Sequence, residues 1–432
     1  MGFDEFAQVE RLGRKELRKL QDARLIEMVR RADRVSFYRQ RFRQAGLKVE
    51  DIGSVDDLPK LPCTRKDDLR GQYPFGMFAL PAERIARIHC SSGTTGKPTV
   101  SGYSREDLQL LGEVNARSLY AAGARPGMTL HNAFGYGLFT GGLGLHAGAE
   151  RLGMTVVPVS GGMTDRQMTL IEDFKPQVIS CTPSYALTLA ERFADRGRSP
   201  QELSLEIAVM GAEPWNEATR AQVDAGLGLR STNLYGLSEI IGPGVSQECR
   251  EERNGSHIWE DHFYPEILDA LSGAPVADGE EGVLVLTTLT KRAMPLLRYW
   301  TGDITSLNRQ PCRCGRTHVR MAPVRGRSDD MLIVRGVNFY PSRVEEVLHE
   351  FQQLTPHYQL VLSREGSRDL VTLRVEPAPN LPQAARSQLV GRLGSRLKST
   401  LGLTFRVEIA APGQVPRSSG GKLSRVDDRR PA

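Results

Sequence analysis

No apolar run in the sequence approaches the ~20 residues that a membrane-spanning helix needs, and Met1 to Asp33 are charged and periodic, without a secretory h-region. These absences predict a cytoplasmic chain with no membrane partner. Cysteine is scarce, six in 432 residues, so thiols or a metal site are expected rather than a disulfide framework. Long repeats and low-complexity tracts are missing, which sets aside fibrous and disordered classes. Neither sign of charge dominates: the net charge of +6 comes from dispersed arginines with a small cluster at Arg429-Arg430. A nucleic-acid surface is unsupported, and attraction of small polyanions fits equally well. What is present, 40% hydrophobic and 25% charged residues, describes a globular chain long enough for two or three domains.

The most informative segment is Ser91-Ser92-Gly93-Thr94-Thr95-Gly96-Lys97-Pro98-Thr99. Hydroxyls and small-residue N–H groups converge on oxyanions, glycines admit close approach, and a lysine adds a mobile positive charge. A Walker loop places four residues before its Gly-Lys pair, whereas only two separate Gly93 from Gly96-Lys97, and the spacing fails a dinucleotide fingerprint too. The segment therefore reads as a phosphate loop of another kind, or as a plain Ser/Thr/Gly turn.

Around it the pattern is α/β. Residues Asp4 to Ala32 place Phe6, Val9, Leu12, Leu20, Met28 and Val29 at helical spacing, and Phe37 to Ala45 predicts a short helix stopped by Gly46. Ser104 and Asp107 make a capping box for a helix to about Ala122. Strands are expected at Met128–Ala133, Thr155–Val159, Gln177–Cys181, Leu205–Met210 and Ser231–Leu234, alternating with helices near 165–174, 183–196 and 215–225. Such alternation predicts a mostly parallel sheet that binds ligands at the carboxyl ends of its strands. The last hundred residues change to an α+β pattern, with strands at Met331–Val334, Tyr358–Ser363, Leu370–Val375 and Phe405–Ile409 and helices near 341–351 and 382–400. The expected division is a large domain over 1–327 and a small one over 328–432, joined at Gly326-Arg327-Ser328-Asp329-Asp330, a linker or a hinge.

Further motifs fall just after predicted strands. Gly211-Ala212-Glu213-Pro214-Trp215 and Tyr235-Gly236-Leu237-Ser238-Glu239 belong on the ligand-binding rim, where an aromatic ring can stack on a base and Glu239 can ligate Mg²⁺ between phosphates. Asp303 suits ribose hydroxyls, and Arg327 can reach the same nucleotide. Lys422 lies in a glycine-rich stretch, Ser418-Ser419-Gly420-Gly421-Lys422.

Together these segments, with Phe134 to Gly142, Trp259 to Phe263 and Arg335-Gly336-Val337-Asn338, resemble the adenylate-forming ligases, most closely the phenylacetate–CoA ligase family, over nearly the whole chain. The resemblance implies ATP- and Mg²⁺-dependent conversion of an aryl acid to an acyl-adenylate, then transfer to coenzyme A, with a mobile C-terminal lid. It implies Lys422 as the catalytic lysine bridging carboxylate and α-phosphate, Glu239 as catalytic Mg²⁺ ligand, and a hinge at Asp329. Ser91, Ser92, Gly93, Thr94, Thr95, Gly96 and Lys97 would hold phosphates. Gly211, Ala212, Glu213, Tyr235, Gly236, Ser238, Asp303 and Arg327 would hold the nucleoside, with Tyr235 against adenine. Tyr136, Phe139, Gly211, Ala212, Ile240, Ile241 and Pro243 would wall the aryl-acid pocket, although these residues read equally as core. The family is compatible with a homodimer. Where many members carry Arg-Tyr-Arg-Thr-Arg-Asp, this chain has Arg298-Tyr299-Trp300-Thr301-Gly302-Asp303, keeping the aspartate without its basic neighbours.

Cys249, His257, Cys312 and Cys314 have residue types suited to a tetrahedral zinc site, with His318 as a substitute ligand. Cys63, Cys90 and Cys181 have no activating neighbours in sequence. Two other activities stay open at this point: delivery of the activated acid to a carrier-protein thiol or an amine, and a non-catalytic nucleotide-binding role.

Overall fold

The computed structural model describes residues 8–91, 98–328, 330, 332–335, 337–366, 368–379, 381–418 and 423–430. A short antiparallel pair, β1 (Arg87–Cys90) and β2 (Val100–Tyr103), brackets the Ser91–Thr99 segment. Five parallel strands follow: β3 (Thr129–Asn132), β4 (Thr155–Val157), β5 (Val178–Cys181), β6 (Ile207–Gly211) and β7 (Arg230–Tyr235), in spatial order 4-3-5-6-7. Helices Gly141–Leu152, Thr164–Phe174, Pro183–Asp195 and Glu217–Leu227 connect them. Strands β5 and β6 are buried along their whole length, as expected of strands covered by helices on both faces.

Local sequence explains the helix Arg105–Ala122 on this sheet. The Ser104 hydroxyl accepts the Asp107 N–H at 3.1 Å while the Asp107 carboxylate accepts the Ser104 N–H at 2.9 Å. Gly123, at φ 109°, ends the helix in the left-handed conformation. Replacing the Ser104 cap by alanine would cost about 1 kcal/mol. The helix lies close against Gly141–Leu152, and a Cβ at Gly148 would sit 2.4 Å from that of Asn115.

The parallel strands were legible in sequence; the rest of the sheet was not. Strands β8 (Ser246–Glu248), β9 (Ser256–Ile258), β13 (Leu307–Asn308) and β14 (Arg320–Met321) extend it antiparallel, giving nine strands. Their two or three residues include buried Gln247, Glu248 and His257, so no apolar alternation marks them. A second, antiparallel sheet contains β10 (Phe263–Leu268), β11 (Gly282–Thr288), β12 (Tyr299–Thr305) and β15 (Gly326–Arg327). The N-terminal helical stretch also differs from expectation: residues 8–10 are helical, 11–13 break the run, and the helix Arg14–Ala32 buries Leu17 and Leu25 with Met28 and Val29, while Leu12 and Leu20 are only half-buried.

Beyond this lie the pair β16 (Leu332–Val334) and β17 (Val337–Phe339), and a sheet of β18 (Leu354–Glu365), β19 (Arg368–Pro377), β20 (Arg406–Ile409) and β21 (Val426–Asp428). Helices Pro341–Leu348 and Gln383–Leu401 accompany them, and the buried apolar residues form a cluster drawn only from positions 334–405.

Candidate active site

Of the residues expected to act on phosphate, Ser92, Gly93, Thr94, Thr95, Gly96 and Lys97 lie outside the described residues, as do Lys422 and Asp329. The flanks are described. Ser91 Oγ, Thr99 Oγ1 and His89 Nε2 are buried without a hydrogen-bond partner among the described residues. The other ring nitrogen of His89 lies 2.9 Å from Leu138 O, and Leu138 O also accepts the Cys90 N–H at 3.0 Å. The strand entering the loop is thus tied to the segment carrying Tyr136 and Phe139. Burial holds the His89 imidazole below its ordinary pKa and so favours the neutral ring.

At the carboxyl end of β7, Tyr235 donates its hydroxyl to Asp303 Oδ2 at 2.6 Å, and Arg327 donates to Asp303 Oδ1 at 3.0 Å and to Thr301 O at 3.2 Å. Register explains the second contact, because Asp303 on β12 pairs directly with Arg327 on β15. The structure thus joins three expected nucleoside residues from distant parts of the chain. Burial first, then the adjacent Asp303 carboxylate, pushes the Tyr235 phenol well above its ordinary pKa, so it stays a donor. Trp300 receives Arg65 over its ring at 4.3 Å, so a cation from another segment lies near this strand.

The end of β6 admits no side chain at Gly211, where a Cβ would lie 2.1 Å from Leu234 O. Ala212 follows at φ 71°, an unusual conformation for a residue with a Cβ and one that turns the chain sharply onto the rim. Glu213 does not project freely: it accepts the Ser184 N–H at 3.2 Å and the Leu423 N–H at 2.7 Å. Gly236 packs against the backbone of Gly242 and Pro243, closing the 235–243 loop on itself, and Ser238 Oγ lies 3.3 Å from Thr140 Oγ1.

Sequence reasoning missed Lys291. This fully buried lysine donates to Glu239 O at 2.8 Å and Ser101 Oγ at 2.9 Å, with its ammonium 4.7 Å from the Tyr103 ring centroid. Tyr103 in turn donates to Ser238 O at 3.1 Å. The Lys291 turn is clamped because Asp107 accepts the Arg292 and Ala293 N–H groups at 2.6 and 2.8 Å. Burial lowers the Lys291 pKa to about 8. Its only sequence signal is a lysine three residues after the apolar run that forms β11, which carries no motif.

The expected acid-pocket residues divide. Tyr136 accepts from Asn132 Nδ2 at 2.7 Å and lies 3.1 Å from His146 Nδ1, with burial pushing its phenol to about 12. Phe139 is 47% exposed on the same segment. Ile240 and Ile241 are wholly buried in the main apolar cluster, whereas Pro243 is half-buried and accepts at its carbonyl from Asn115 at 2.9 Å.

Away from this rim, Cys249, His257, Cys312 and Cys314 converge, with all four candidate ligand atoms within 4.8 Å of one another. Cys249 Sγ is 3.6 Å from Cys312 Sγ, and Cys314 Sγ is 3.4 Å from His257 Nε2. His257 Nδ1 lies 2.9 Å from His318 O, so its proton belongs there and Nε2 keeps a lone pair for the cluster. His318 itself points away from this role: its ring lies 6.2 Å from that of Trp259, and neither nitrogen has a partner among the described residues.

Two family models match the chain: "AMP-binding enzyme" over residues 43–290 and "AMP-binding enzyme C-terminal domain" over residues 336–430. A phenylacetate-coenzyme A ligase of Thermus thermophilus is 59% identical, the alignment covering 98% of this chain and 99% of the relative. One from Escherichia coli is 49% identical, covering 96% and 95%. Among solved structures, 2-hydroxyisobutyryl-CoA ligase in its postadenylation state superposes with a TM-score of 0.90 at 28% identity, covering 98% of this chain and 91% of that one. The same ligase in its thioesterification state gives 0.73.

Proposed function

From the premise that this chain belongs to the phenylacetate–coenzyme A ligase family of AMP-binding enzymes, we propose that it joins phenylacetate, or a closely similar aryl acid, to coenzyme A, forming AMP and pyrophosphate. The supporting observation is the Leu423 N–H on Glu213, which brings the residue beside Lys422 to the carboxyl-end rim across 210 positions of sequence.

A carboxylate resists nucleophilic attack, so one of its oxygens first attacks the α-phosphate of ATP. Pyrophosphate leaves, and the resulting mixed anhydride gives the carbonyl a good leaving group. In this step Lys422 bridges the two approaching anions, which is most valuable in the transition state, and Ser91 to Lys97 orient the departing phosphates. Tyr235, Asp303 and Arg327 form one hydrogen-bonded unit across three strands, a rigid support for the nucleoside. The coenzyme A thiol then attacks the carbonyl and displaces AMP, after the C-terminal residues turn about Asp329 relative to residues 1–327.

Glu239 fits a Mg²⁺ role, since that ion commonly takes one or two carboxylates with substrate phosphates and waters, and would neutralise charge developing on the phosphates. The Cys249, His257, Cys312 and Cys314 atoms fit zinc: three soft thiols and one imidazole at separations near those of a tetrahedral site. We assign zinc a structural role, pinning residues 312–314 beside β8 and β9. A homodimer is the family expectation, read by light scattering.

The test is acid-dependent pyrophosphate release over a panel of aryl acids, with and without coenzyme A. Phenylacetate should give the highest kcat/KM and require coenzyme A for sustained AMP formation. Lys422→Ala should abolish pyrophosphate release while thioester formation from supplied acyl-adenylate continues. Unimpaired release in that variant would overturn the lysine's role, and release sustained by a carrier-protein thiol in place of coenzyme A would overturn the acceptor.

A further inference from the structure

The carboxylate of Glu213 was expected at the nucleotide, yet its two oxygens are occupied by main-chain donors from opposite sides. One is Ser184 N–H, in the first turn of Pro183–Asp195; the other is Leu423 N–H, immediately after Lys422. A carboxylate at a helix N-terminus is favoured by the unpaired N–H groups and the helix dipole, so the first contact fixes Glu213 to the rim. Trp215, buried two residues later, stacks under Arg220 at 4.5 Å and anchors the segment from the other side.

The same helix meets the C-terminal residues again further along. Glu191 accepts from His357 Nε2 at 2.5 Å and pairs with Arg417 at 3.6 Å. Arg417 is held in turn by Glu376 at 2.7 and 3.1 Å. Both contacts join residues of the first AMP-binding match to residues of the C-terminal match, in an arrangement nearer to the relative's postadenylation state than to its thioesterification state, at TM-scores of 0.90 and 0.73.

Building on the ligase reading above, we propose that Glu213 is a positioning residue for the first half-reaction, its carboxylate holding the Leu423 N–H and so placing Lys422 for adenylation. Glu191 adds a second and weaker hold through His357 and Arg417. Both contacts are released when the C-terminal residues turn for thioester formation, so the second half-reaction does not use them.

The experiment compares two rates in the full-length enzyme: single-turnover pyrophosphate release without coenzyme A, and thioester formation from supplied acyl-adenylate. Glu213→Ala should slow pyrophosphate release ~10–100-fold more than thioester formation, the scale expected when a reacting group is displaced by about 1 Å. The loss should lie in kcat, with KM for ATP little moved. Glu213→Gln keeps one acceptor oxygen but turns an N–H toward the second main-chain donor, so it should recover only part of the rate. Leu423→Pro, which removes the donor, should reproduce the split, whereas Leu423→Ala should not. Glu191→Ala should give a split of a few-fold. Equal loss in both reactions, a rise in KM for ATP that accounts for the whole effect, or no split in Leu423→Pro would overturn the proposal. If the unmodified enzyme releases no pyrophosphate with any aryl acid, the ligase reading itself fails; if it does and Glu213→Ala is unimpaired, only the positioning role fails.

Discussion

The two halves of the nine-stranded sheet bury polar groups in opposite ways. In the parallel half, strands β5, β6 and β7 end at a rim where backbone turns are strained at Ala212 and glycines press against neighbouring main chain. In the antiparallel half, ionic groups are closed in and mutually paired. On β8 the Glu248 carboxylate meets Arg220 at 3.0 Å, and on the helix Arg105–Ala122 packed against β8, Arg117, 1% exposed at its side chain, meets Glu10 at 2.9 Å and Asp261 at 3.0 Å and stacks on Trp259 at 4.5 Å. Burial pushes the Asp261 carboxyl up, but Arg117 and then His262 outweigh it, leaving the group well below its ordinary range. Parallel strands present a whole row of ends to a ligand, while short antiparallel hairpins fold back and seal their polar groups inside. Turnover should therefore be vulnerable in one half and stability in the other.

The sharpest way to break that comparison is Arg117→Met, which removes the cation shared by Glu10 and Asp261, leaving Glu10 to Arg316 and Asp261 to Arg24 and His262, and should cost about 3 kcal/mol in urea unfolding. The KM for ATP of the surviving folded enzyme should hardly move; a large rise would erase the distinction. Asp303→Ala comes next: it should lower kcat/KM for ATP about 100-fold, close to 2.7 kcal/mol, while the Tyr235 hydroxyl it orphans lowers stability by about 1–2 kcal/mol, less than Arg117→Met does. Lys291→Met sits at the boundary, since this lysine is wholly buried but touches the Glu239 carbonyl. The unfolded chain keeps the Lys291 proton up to about 10.5, whereas the folded chain releases it near 8. The folded state therefore carries the full penalty of the buried ammonium below 8 and gains relative stability as pH rises from there toward 10.5. That gain, on the order of 3 kcal/mol, should be missing from the variant in denaturation curves across the interval, and an identical pH dependence would remove the assignment. The smallest effect on turnover is expected from Cys314→Ser: zinc content by mass spectrometry should fall and the melting temperature drop, while kcat per folded molecule stays within about twofold.

The same contrast explains what could be read from sequence. Strands β4, β5 and β6 announce themselves as short apolar runs between helices, β3 and β7 follow from the alternation despite their polar residues, and the Ser104 capping box fixes one helix start to the residue. Tyr235, Asp303 and Arg327 were each named from local motifs, and β-register brings the last two side by side. Strands β8, β9, β13 and β14 gave no signal, because their buried polar residues are compensated by partners far away in sequence, as Glu248 is by Arg220 at 3.0 Å. Lys291 escaped for the same reason: its partners, Ser101 and Glu239, belong to segments that meet only in the folded chain. Glu213 was assigned to the nucleotide because its motif lies on the rim, but only coordinates reveal that main-chain donors occupy its carboxylate.

That last contact has an evolutionary consequence. Leu423 is recognised through its amide, so any residue except proline at that position offers the same hydrogen bond. The side chain at position 423 can drift without a compensating change at Glu213, and exchange of the C-terminal portion then has to preserve only the side-chain contacts of Glu191 with His357 and Arg417. Chimaeric ligases, with an acid pocket from one parent and a closing portion from another, are what such main-chain recognition makes accessible.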